Sequence, residues 1–181
     1  MKCPKGLRRL VLVIGAWLST SGIANAEVPT GYRLVASDYD IPAEVLYAVG
    51  LAESARRVDS TGTVRPWPWT LNVQGKGFFY ASRAQVQRAL DGFLDVGFES
   101  IDIGLMQVNW RYHQNYLESP QLALDPYHNL RVAAKILREC HQSRQDWWEA
   151  VGCYHAPNNP HRADRYRARV FKHWQRVTRR G

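Results

Sequence analysis

Between Ile41 and Ser54 the chain runs Ile-Pro-Ala-Glu-Val-Leu-Tyr-Ala-Val-Gly-Leu-Ala-Glu-Ser, an apolar stretch of helical period that closes on a carboxylate. Asp40 suits an N-cap and Pro42 a first helical turn, where no intrahelical N–H is needed, so a helix is expected to start near residue 41. Val45, Val49 and Glu53 then recur every four residues with Leu46 beside them, which puts Glu53 on the stripe that faces the interior. Apolar neighbours make a carboxylate harder to ionise, and the negative end of the helix dipole acts in the same direction. A glutamate that holds its proton near neutral pH has the property a general acid needs. Spacing alone leaves two outcomes open: that acid, or a frayed helix end with Glu53 turned to solvent.

The N-terminus has a different character. Lys2, Lys5, Arg8 and Arg9 precede an apolar run from Leu10 to Leu18 and small residues ending in Ala24-Asn25-Ala26, the layout of a cleavable secretory signal peptide over residues 1–26. The run is too short to span a bilayer comfortably, and the cleavage site favours removal over an uncleaved anchor. The expected mature chain is therefore one exported, soluble domain over residues 27–181. Cys3 leaves with the signal, and Cys140 and Cys153 remain as a pair in an oxidising compartment, where a disulfide is expected over two buried thiols. No His or Cys spacing suggests a metal, and no motif calls for a cofactor. Residues 1–26 hold four cations and no acid, so cleavage takes the formal charge from +8 to +4. A mildly basic chain is compatible with an anionic polymer or surface as partner.

No repeat or linker divides the rest. Pro66 and Pro68 exclude a helix around Trp67. Trp69–Val73 and Phe78–Ala81, separated by Gln-Gly-Lys-Gly, read as a β-hairpin and carry the one good strand signal. Ser82 is placed to cap a helix with Val86, Leu90, Phe93 and Leu94 on one face and Gly97 at its end. In Phe98–Trp110, Gln107 and Asn109 are amides inside an apolar run, and once buried they need partners from backbone or from a ligand. Asp125-Pro126 opens a helix with Leu130, Ala133, Ala134, Ile136 and Leu137 on its apolar side and Asn129 turned inward. Asp146 and Glu149 have capping-box spacing for a helix over Trp147–Tyr154. After Pro157–Pro160 a last helix presents Ala163, Tyr166, Val170, Trp174 and Val177 as a core stripe. Its many arginines read first as a solvated face and second as a surface for anionic polymers; nucleic acid is not expected of an exported chain.

Glu53-Ser54, then Gly104-Leu-Met-Gln-Val-Asn109, then Cys153-Tyr154-His155 form an ordered set. The set resembles the lytic transglycosylases of the soluble lytic transglycosylase (SLT) catalytic domain, and the likeness covers about residues 38–170. The resemblance implies a mainly α, lysozyme-like helical domain with a small β-hairpin lobe. It implies Glu53 as the single catalytic acid and base, and Ser54, Met106, Gln107, Asn109, Asn129, Tyr154 and His155 as the substrate-binding set. Tyr154 would orient Glu53 and the sugar, and His155 departs from the family's usual Asn. The implied reaction cleaves the β-1,4 bond between N-acetylmuramic acid and N-acetylglucosamine in peptidoglycan, with formation of a 1,6-anhydro end, in the periplasm and by a monomer. The long segment between Ser54 and Gly104 is similar to that of specialised members that serve conjugation, type IV secretion and pilus systems. A hydrolytic muramidase and a non-catalytic murein-binding scaffold are the alternatives.

Overall fold

The computed structural model describes residues 27–58 and 62–179; the expected signal peptide lies outside them. Helix α1 (Thr30–Asp38) leads into α2 (Ala43–Ser54). The join differs from the expected N-cap. Asp40 takes a left-handed φ of 50°, its N–H donates to Ser37 O at 3.4 Å, and the Ile41 N–H donates to Ala36 O at 2.9 Å. These are the two bonds of a Schellman motif, so Asp40 terminates α1 and does not start α2. Pro42 is the N-cap of α2 and offers no side-chain bond.

Helix α2 is not amphipathic. Every residue from Val45 to Leu51 is buried, which makes it the central helix of the domain. Gly50 is required there: a Cβ would lie 2.4 Å from the Tyr32 hydroxyl of α1. Helix α2 ends abruptly as Ala55 turns extended and begins β1 (Ala55–Val58), antiparallel to β2 (Thr63–Pro66).

A second sheet has the order β4-β3-β5-β6, all antiparallel, from β3 (Thr70–Val73), β4 (Lys76–Phe79), β5 (Ile101–Ile103) and β6 (Val108–Asn109). The expected hairpin is β3–β4, with a tighter turn than anticipated. Gln74 and Gly75 both have positive φ, 52° and 82°, a two-residue connection, so Lys76 and Gly77 belong to the strand. The reading of that hairpin as the single strand signal is corrected: β1 (Ala-Arg-Arg-Val) and β2 (Thr-Val-Arg-Pro) are as long as β3 and β4 but arginine-bearing and without aromatics, and β5 and β6, of three and two residues, are too short for alternation to reveal them.

Helix α3 (Arg83–Asp95) starts where expected, Ser82 Oγ accepting from Gln85 N, and Gly97 at φ 86° follows its end. Helices α4 (Trp110–Leu117) and α5 (Pro120–Ala123) lead to α6 (Pro126–Arg144), capped by Asp125. Helix α7 (Trp147–His155) is capped by Asp146, which accepts from both Trp148 N and Glu149 N. The return half of the capping box is absent, because Glu149 pairs with Arg167 of α8 (Pro160–Thr178). The Cys140–Cys153 disulfide joins α6 to α7 across a Cα separation of 5.8 Å. Helices α6, α7 and α8 pack in succession, and α8 lies along α2. The result is a mainly helical, lysozyme-like domain with a small antiparallel lobe, as expected.

Candidate active site

Glu53 sits in the last turn of α2 with its side chain 10% exposed. Tyr166 of α8 donates its hydroxyl to Glu53 Oε1 at 2.6 Å. Burial drives the Glu53 carboxyl up from its ordinary 4.5 to about 7; the Tyr166 hydrogen bond and the Arg169 charge pull it down, and the Asp102 charge adds to the rise. The frayed-end alternative is thereby removed. Asp102 on β5 is also raised, chiefly by burial, against a hydrogen bond from Asn109 and the charge of Arg162.

His155 Nδ1 stands 3.9 Å from Glu53 Oε1, too far for a hydrogen bond. Burial, then Arg169 and Arg162, push the imidazole down to about 4, so it is neutral at neutral pH. Its ring lies flat on that of Tyr166, centroids 4.3 Å apart and planes 4° apart. His155 therefore packs the phenol that holds the acid.

The loop between β5 and β6 carries the Gly-Leu-Met-Gln motif, and three groups fix it from below. Asn129 of α6, fully buried, accepts from Met106 N at 2.9 Å and donates to Ile103 O at 3.0 Å and Ala123 O at 3.1 Å. Ser54 Oγ donates to Leu105 O at 2.6 Å and accepts from Trp67 N at 3.1 Å. Tyr154 of α7 donates to Met106 O at 2.8 Å. Gly104 has φ 77°, and a Cβ there would meet Asn129 at 3.1 Å, so both conformation and space ask for glycine.

These contacts revise several roles. Ser54, Met106 and Asn129 are buried, at 1%, 0% and 0% exposure, and support the loop instead of facing a ligand. Tyr154 grips the motif loop, and Tyr166 takes the place on Glu53 that was expected of Tyr154. Gln107 has φ 49° and is half-buried, its Nε2 donating to Gly104 O at 2.9 Å and Thr70 O at 3.3 Å, so one amide did find backbone. Asn109 instead donates to Asp102 Oδ1 at 2.7 Å, and its own Oδ1 is buried with no hydrogen-bond partner among the described residues. Tyr166 was legible only as core, although a phenol on a buried stripe must place its hydroxyl on something.

A lysozyme-like domain thus carries one buried glutamate at the end of its central helix, gripped by a tyrosine, and a Gly-Leu-Met-Gln loop pinned by buried side chains. The chain belongs to the transglycosylase SLT domain family, whose model matches residues 33–176. It is similar to the invasion protein IagB of Salmonella typhimurium, strains SL1344 and LT2, and of Salmonella typhi. In each case the identity is 28% over 147 residues, spanning 77% of this chain and 71% of the relative. No solved structure gives a significant match.

Proposed function

We propose that the protein is a peptidoglycan lytic transglycosylase in which Glu53 performs both proton transfers. The observation that carries this reading is a buried carboxyl poised at about 7, held by Tyr166. Protonated Glu53 donates to the glycosidic oxygen linking N-acetylmuramic acid to N-acetylglucosamine, and the C1–O bond breaks. The 2-acetamido group of the muramyl residue stabilises the cationic C1. Ionised Glu53 then accepts the proton of that residue's C6 hydroxyl as O6 bonds to C1, closing a 1,6-anhydro ring without water. Membership of the SLT family supports peptidoglycan glycan strands as substrate. No cofactor takes part in this scheme.

Asp102 favours a second reading, since its charge is felt at Glu53 and hydrolytic glycosidases use two carboxylates. Digestion of purified sacculi followed by mass analysis separates the readings. Anhydro ends, lighter by one water than reducing ends, are expected; reducing ends would make the protein a muramidase, and binding without cleavage would make it a scaffold. Glu53→Gln keeps the shape and the acceptor for Tyr166 but cannot deliver a proton, so it should lose about 10²–10⁴-fold in rate. Wild-type rates from that variant would overturn the assignment.

The proposal extends to local wall opening in the periplasm for a conjugation, secretion or pilus apparatus, following export by removal of residues 1–26. The long insert from β1 to β5 and the similarity to proteins named for invasion support it. N-terminal sequencing of the exported protein should begin at Glu27, and co-isolation with envelope machinery tests the partner.

A further inference from the structure

Beside Glu53 the surface of α8 opens into a cavity of about 120 Å³ lined by His155, Arg162, Arg165, Tyr166 and Arg169. The four α8 residues are spaced i, i+3, i+4 and i+7 and so share one helix face. Three like charges on one face repel one another, and α8 does not neutralise them. Arg167, on the neighbouring face, pairs with both Glu149 and Asp164. Arg162, Arg165 and Arg169 make no ion pair among the described residues; Arg169 covers the Tyr166 ring at 5.0 Å, and the charges of Arg169 and Arg162 are felt only at a distance by the buried carboxyls of Glu53 and Asp102. Tyr166 and His155 line this cavity and also face Glu53, at 2.6 Å and 3.9 Å, so an anion held here would sit next to the reacting bond.

The muramyl residue is the natural source of such an anion. Its lactyl arm ends in a carboxylate on stripped strands and, where a peptide stem is attached, leads to the stem's carboxylates. We infer that the Arg162–Arg165–Arg169 pocket is a carboxylate subsite that seats the lactyl or stem-peptide carboxylate of the muramyl residue beside Glu53. This rests on the transglycosylase reading. Occupancy would also act on the acid: Arg169 lowers the Glu53 pKa, so an anion that screens Arg169 helps Glu53 keep its proton. Lactyl or stem carboxylate is thus both an anchor and a primer.

The test compares purified glycan strands with free carboxyl groups against the same strands amidated, each prepared with peptide stems and after amidase stripping. Wild type should favour free over amidated strands by about tenfold in kcat/KM, carried by KM, as expected for a charge-assisted contact. Arg165→Gln, at an exposed position that does not touch Glu53, should reduce that preference to about twofold or less by the same reasoning. Arg167→Gln should keep it. A preference present on stripped strands assigns the lactyl carboxylate; one confined to peptide-bearing strands assigns the stem. Equal cleavage of free and amidated strands by wild type, or an undiminished preference in Arg165→Gln, overturns the subsite. If instead wild type cleaves no strand, the transglycosylase reading has failed. The pocket is then judged by co-sedimentation of wild type and Arg165→Gln with free and amidated sacculi.

Discussion

A carboxyl held at about 7 where an unfolded glutamate titrates at 4.5 is a cost carried by the fold. The folded form binds the proton more tightly than the unfolded one. Stability from this group is therefore intact below pH 4.5, falls as pH rises through 7, and stays lost above. The loss is on the order of 3 kcal/mol, reduced by whatever water reaches the carboxyl in the folded site. Glu53→Gln removes the titration, keeps an oxygen for the Tyr166 hydroxyl, and should be more stable than wild type at pH 8 and no more stable at pH 4. Urea denaturation at the two pH values checks this, and a gain that is equal at both would deny the buried acid. At this scale Glu53 was legible because a carboxylate that continues an apolar repeat is a local pattern. Tyr166 was not, because its partner stands 113 residues away. Asp40 misled for a related reason: a residue suited to opening one helix is equally suited to closing the preceding one, and only the backbone decides.

The elements show the same division between local and distant causes. Helices α3 and α6 announce themselves with a capping side chain and a periodic face, α7 with its capping pair and α8 with its periodic face, and all four lie where the sequence placed them. Helix α4 buries only Leu117, so it has no stripe to read, and strand β5 exists because Ile101–Ile103 find β3, some thirty residues back, while β6 exists because Val108 and Asn109 find Ile103 and Asp102 across a turn. The Cys140–Cys153 link belongs with the legible features, and it has a measurable weight at the scale of elements. It closes a short loop, with a sequence separation of 13, between α6 and the helix that carries Tyr154 and His155. Chain-entropy reasoning assigns such a loop about 3 kcal/mol. Replacing both cysteines by alanine should lower the free energy of unfolding by about 2–3 kcal/mol, and reductant should have little effect on that variant. An unchanged urea midpoint on reduction of the wild-type protein would show that α7 is held by packing alone.

Across the whole molecule the site is assembled from the end of α2, the β5–β6 loop, α7 and α8, so residues from both ends of the chain must meet before Glu53 has an environment. Helix α2 is buried from Val45 to Leu51, and α8 lies against it with Tyr166 and Val170 buried in the same core. Neither can be exposed without stripping the other. The β1–β2 pair lies at the edge of this arrangement, touching it at the end of α2. It is a two-stranded sheet on its own, exposed along most of β2, and an isolated hairpin is marginal in water. Native-state hydrogen exchange should therefore find the central amides of α2 and α8 among the slowest in the protein, with similar opening free energies near the global value. Amides of β1 and β2 should exchange through openings of far lower free energy, leaving the Glu53 environment closed. If β1–β2 were as protected as α2, the hairpin would belong to the cooperative core. If α8 exchanged well ahead of α2, the acid's environment would depend on local closure of α8 and not on the global fold, and the stability cost of Glu53 would then be confined to that helix.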